Sequence, residues 1–231
     1  MSSEQGQYVK YDFYKVDPLW RRLAPQERAE AREEFIATLD EFSSALETRS
    51  YSLVGVRGDC DLLLWKIGNS LEVHQALAGQ LNRTRLGAYL SLPYSFLALT
   101  RRSQYVGRHR HPGQEGTRLT LQPQEAPYLI VYPFVKTRDW YQLPVEERQQ
   151  MMNQHFAVGH KYPSVKINTS YSFGLDDQEF IVAFTTDKLE DFLNLVMELR
   201  ETPASRYTLR DTPIFTCVAK GVREALEDLG I

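Results

Sequence analysis

One short pattern occurs twice in this chain, and that repetition restricts the fold more than any other feature. Trp20, Leu23, Glu27 and Arg28 recur as Trp140, Leu143, Glu147 and Arg148, each 120 residues later. An aromatic, strand-like run precedes each copy, Tyr8–Val16 in one case and Tyr128–Lys136 in the other. Behind each copy, a proline followed by acidic residues opens a helix, as a first helical turn favours. A pattern that returns at a fixed offset together with its flanking elements indicates two related halves.

The remaining elements keep the same order. Residues 50–56 and 61–67 read as strands around the turn Arg57-Gly58-Asp59, followed by a helix over 70–86 and a strand within 92–100. In the second half, 165–173 and 179–185 are strands around Gly174-Leu175-Asp176-Asp177, followed by a helix over 188–200 and a strand at 214–219. Each half is then β-α-β-β-α-β, the ferredoxin-like order, and the fold class is α+β. The predicted halves are residues 1–104 and 118–231. Residues 105–117, rich in Gly, Arg and His, read as a linker.

Composition sets the outer limits. A net charge of −3 over 231 residues, with 42% hydrophobic residues, suits an ordinary globular protein and not a generic nucleic-acid binder, which needs a basic surplus. No apolar run approaches the ~20 residues that span a bilayer. The opening Met1-Ser2-Ser3-Glu4-Gln5 lacks the basic and apolar parts of a secretory signal, so a cytoplasmic location is expected. Cys60 and Cys217 lack zinc-type spacing and read as buried thiols.

Chemistry is sought where the halves differ. Phe35 of the first half falls opposite His155 of the second, so an apolar position becomes an imidazole. Met151 and Met152, one turn earlier, give that imidazole an apolar neighbourhood. A lone helical histidine is either a structural residue or a ligand. No second zinc-type ligand lies near it, but a porphyrin iron needs only one protein ligand. Tyr132, Phe134 and Lys136 share one face of their strand, where the first half has Asp12, Tyr14 and Val16. A tyrosine that can lose a proton and an electron, beside a lysine that can hold a carboxylate, suits redox chemistry on an acidic substrate. A packed Tyr and a snorkelling Lys fit the same pattern.

Several segments together resemble the chlorite dismutase superfamily, in particular its coproheme decarboxylase branch. They are Leu81–Leu90, Tyr132-Pro133-Phe134-Val135-Lys136, Leu143–Arg148, His155–Tyr162 and Gly174–Asp177. The resemblance implies two ferredoxin-like halves forming a dimeric α+β barrel, haem in the C-terminal half, and a homo-oligomer, commonly a pentamer. It implies that His155 ligates the iron, that Tyr132 forms the radical that attacks a propionate, and that Lys136 and Arg118 hold propionates. Phe134 takes a position usually held by methionine, and Thr212 falls near a propionate-binding serine. The implied substrates are iron coproporphyrin III, converted to haem b, and hydrogen peroxide. Chlorite dismutation and non-catalytic haem binding are the alternatives.

Two positions depart from the family pattern. Where chlorite dismutases place a distal arginine, and many decarboxylases a glutamine, this chain has Ile167, with Lys166 or Asn168 replacing it if the strand register slips. An aliphatic side chain gives an oxyanion no hydrogen bond, which disfavours chlorite chemistry. Pro203 stands where a glutamate would hydrogen-bond the proximal histidine, with Glu201 nearby in sequence. Peroxide then lacks an evident distal base, and His109 and His111 on the linker are the candidates. With Arg108 and Arg110 they also concentrate positive charge locally for a tetra-acid.

Overall fold

A computed structural model describes residues 6–105 and 119–230, which divide into two compact units. The first begins with β1 (Tyr8–Val16), then α1 (Pro25–Glu41), β2 (Leu46–Ser52), β3 (Leu62–Gly68), α2 (Leu71–Leu81) and β4 (Leu90–Leu99). Its strands pair antiparallel in the order β4-β1-β3-β2. Pro25 starts α1, where its missing N–H is not needed, and the Glu27 carboxylate accepts from the Ala24 N–H at 3.1 Å. The Ser70 hydroxyl caps α2 by accepting from the Val73 N–H. Ala31, Phe35 and Leu39, spaced one turn apart on α1, bury one stripe against a core that includes Trp20, Leu62, Leu64 and Leu77.

The second unit carries β5 (Tyr128–Lys136), the single turn α3 (Arg138–Gln142), α4 (Val145–Gly159), β6 (Lys166–Tyr171), β7 (Phe180–Thr186), α5 (Leu189–Glu201) and the short strand β8 (Thr208–Arg210). These strands pair antiparallel in the order β6-β7-β5-β8. Trp140 is buried on α3 as Trp20 is in the first unit. The repeated tryptophans are therefore packing anchors.

Three expectations need correction. The strand expected over 50–56 is β2, and it ends at Ser52. Gly55 takes a left-handed φ of 77°, and the amides of Val56 and Arg57 both donate to the Leu53 carbonyl, so the turn begins before Arg57-Gly58-Asp59. The predicted strand at 214–219 is observed as β9 (Phe215–Ala219), but a last helix, α6 (Val222–Asp228), had not been anticipated. Residues 216–231, assigned from sequence to the C-terminal half, belong with the first unit. There β9 pairs with β2, and Ala225, Leu226 and Leu229 enter the core that holds Phe35.

Candidate functional site

Strand alternation settles which side chains share a face in the second unit. On β5, Ile130 pairs with Phe184, Tyr132 with Val182 and Phe134 with Phe180 across β7. On β6, Ile167 pairs with Phe184, Thr169 with Val182 and Tyr171 with Phe180. Tyr132, Phe134, Lys136 and Ile167 therefore lie on one face of the sheet. Ile167 is 48% exposed there, while Asn168 is buried on the opposite face, so in this pairing it is Ile167 that shares the Tyr132 face.

The Tyr132 ring stacks on Phe184 at 6.0 Å, and burial pushes its phenol pKa up, with Asp211 adding to the rise and Arg200 opposing it. Arg200 and Asp211 form an ion pair with each other. Lys136 ends the same strand face. Its ammonium donates to the Ala204 carbonyl at 2.9 Å and lies 4.4 Å from the centre of the Trp140 ring. Burial lowers its pKa to about 8, partly offset by Glu179. Glu179 is itself fixed, accepting from the Lys136 N–H at 2.8 Å and the Tyr141 hydroxyl at 2.5 Å.

α4 supplies the imidazole. Ala31, Phe35 and Leu39 on α1 are all buried, yet their counterparts Met151, His155 and Gly159 are only half-buried. The helix face that is closed in the first unit is thus partly open in the second. Burial lowers the His155 pKa to about 4, with Lys136 contributing, so the ring is neutral near pH 7. Among the described residues no group hydrogen-bonds this imidazole, and none comes in a cluster of three or more His, Cys, Asp or Glu suited to a metal ion. A neutral imidazole on a half-open apolar face, with no hydrogen-bond partner among the described residues, is of the kind that would serve as the one protein ligand a porphyrin iron needs.

The other expected residues are placed less closely. Thr212 is exposed in the segment after β8, and its neighbour Asp211 is the residue whose charge reaches Tyr132. Glu201 and Pro203 are exposed at the end of α5, and Glu201 makes no hydrogen bond to His155 among the described residues. Arg118, His109, His111, Arg108 and Arg110 lie outside the described residues. Sequence reasoning missed Arg200, Asp211 and Glu179. Each acts through a contact distant in the chain, and only the pairing of β8 with β5 offered a route to Asp211.

A sequence profile described as chlorite dismutase matches residues 28–220. A coproheme decarboxylase of Mycolicibacterium smegmatis is 32% identical over 214 residues, covering 90% of this chain and 88% of the relative. The chlorite dismutase of Candidatus Nitrospira defluvii in complex with imidazole superposes with a TM-score of 0.88 at 27% identity, over 100% of this chain and 97% of that one. A heme-binding protein of Thermus thermophilus superposes with a TM-score of 0.84 at 26% identity, over 98% and 96% of the two chains.

Proposed function

Because the chain belongs to the chlorite dismutase family, we propose that it is a haem-dependent enzyme that decarboxylates coproheme with hydrogen peroxide as co-substrate. The single observation that carries this reading is the sheet face shared by Tyr132, Lys136 and Ile167, with the neutral His155 in the electrostatic field of Lys136. His155 holds the iron through one ring nitrogen. When bound, the iron porphyrin supplies the reduction of peroxide and the oxidising equivalents that the protein directs.

Tyr132 delivers that oxidation to the substrate. Its raised pKa keeps the phenol protonated, so its electron leaves together with the Oη proton. The tyrosyl group formed takes a hydrogen from the propionate side chain beside it. Each propionate then loses its carboxyl as CO₂ and becomes a vinyl group, while one peroxide takes up two electrons and two protons to give two waters. Lys136, mostly charged at neutral pH, pairs with a propionate and holds it at Tyr132, and Arg118 holds another. Phe134, on the same sheet face as Tyr132 and Lys136, gives the porphyrin an apolar contact. Thr212 is proposed as a weaker propionate contact.

Ile167 argues against chlorite as substrate, since it presents only methyl and methylene groups where an oxyanion needs a donor. A non-catalytic haem carrier would have no use for Tyr132 beside Lys136. The proposal extends to a cytoplasmic homo-oligomer, as a pentamer; among the described residues no helix is long and apolar enough to cross a membrane. Incubation with coproheme and peroxide, followed by mass spectrometry, tests the activity. Stepwise loss of two carboxyl groups is expected. Tight binding of coproheme without any loss would instead make the protein a carrier.

A further inference from the structure

The first unit contains a cavity of about 380 Å³ between its sheet and α2, lined in part by Lys10, Asp12, Lys66, His74, Ala78 and Leu97. Its floor is charged and buried. Lys66 is fully buried and its ammonium donates to Asp12 Oδ2 at 2.6 Å. Asp12, 2% exposed, also accepts from the Ser95 hydroxyl at 2.7 Å, and the Lys10 ammonium stands 3.5 Å from its other oxygen. Two ammonium groups thus face one carboxylate. Asp12 is the one acceptor for Lys66 among the described residues, which leaves two of that ammonium's N–H groups without a partner.

His74 adds a buried imidazole to the same cavity. It is 3% exposed, and no hydrogen bond of normal geometry reaches either ring nitrogen, although the Tyr8 backbone lies close enough to act on its charge. Buried polar groups in folded proteins are almost always paired, so ammonium donors left open beside a buried imidazole at one cavity require an account. The duplication sharpens it. Lys10 pairs with Lys66 across β1 and β3 as Ile130 pairs with Phe184 across β5 and β7, and Asp12 occupies the place of Tyr132. The face that carries the candidate site in the second unit therefore carries a cationic site in the first.

We infer that this cavity binds a small organic monocarboxylate, its carboxylate on Lys10, Lys66 and His74 and its hydrocarbon body against Ala78 and Leu97. The volume suits a short acid. One surplus positive charge matches one carboxylate, and Glu72 at the rim disfavours a second. That carboxylate accepts from the Ser70 hydroxyl at 2.6 Å and so stays at the cavity mouth.

Butyrate is the probe, titrated at neutral pH into the full-length protein labelled with ¹³C-histidine, with chloride at matched ionic strength as control. Saturable movement of the His74 ring signals is expected, with a rise in Tm that chloride does not give. Lys10→Gln, at a half-buried strand position, should weaken butyrate roughly tenfold, and His74→Leu should abolish the rise in Tm. If His74→Leu does not fold, the wild-type titration and Lys10→Gln decide. His74 signals that do not move with butyrate, or that move equally with chloride, would overturn the inference and leave a cavity filled by water.

Discussion

Ile167 lies opposite Phe184 in the β6–β7 pair, and this register puts an aliphatic side chain on the Tyr132 face of the sheet. A peroxide or chlorite oxygen on that face meets no donor from this position. Replacing Ile167, which is 48% exposed and has room to change, by arginine adds a guanidinium there without disturbing the core. Oxyanion donors are worth roughly 10²–10³ in rate. Ile167→Arg should therefore raise oxygen release from chlorite by at least about tenfold over wild type, read with an oxygen electrode. Equal rates in both proteins would show that position 167 does not control this chemistry.

The packing of Phe35 gives a second prediction. It is fully buried among Trp20, Leu62 and Leu77, whereas its counterpart His155 lies on a half-open face. Phe35→His would place an unpartnered imidazole in a filled core, at a cost of about 3 kcal/mol. Denaturant unfolding should show that loss. The variant should acquire no second haem site, so the haem-to-protein ratio stays that of wild type. A doubled ratio would contradict the view that core packing closed this face in the first unit.

Much of this was legible in the sequence because the duplication is local. The offset of 120 residues relates Trp20 to Trp140 and Phe35 to His155 without any knowledge of packing, and alternation on β5 groups Tyr132 with Lys136. What was not legible depends on long-range contacts. Arg200 and Asp211 are far from Tyr132 in the chain, and an exposed ion pair leaves no pattern in the sequence. α6 is a short helix whose apolar residues, Ala225 and Leu226, are too few to reveal that they complete the core of the first unit. The turn at Gly55 is hidden in the sequence because Arg57-Gly58-Asp59 carries the stronger turn composition, while the left-handed φ belongs to Gly55.

Stability should depend on pH through His74. Burial is the main cause, and Lys66 the second, that lowers its pKa from 6.5 to about 4. A histidine depressed in the folded state takes up its proton more readily when unfolded. Its contribution is therefore fully present above pH 6.5 and is lost as pH falls from there towards 4. The lost stability should reach about 3 kcal/mol. His155, lowered to about 4 as well, acts in the same direction. Asp12, held below its ordinary value against burial by Lys66 and Lys10, adds a further loss at still lower pH. Chemical denaturation across this range should show the decline, and His74→Leu should flatten part of it. An unchanged slope in that variant would remove His74 from the account.

Tyr132 is proposed to pass oxidation from an iron porphyrin held by His155 to a propionate. Tyr132→Phe keeps the ring that stacks on Phe184 and removes only the Oη hydrogen. The decisive measurement is a single-turnover mass-spectrometric time course of coproheme with peroxide in wild type and Tyr132→Phe. Binding affinity for coproheme is compared in parallel. The account predicts equal binding and a fall of at least about 10³-fold in the first loss of CO₂. Conversion to haem b at the wild-type rate by Tyr132→Phe would contradict it.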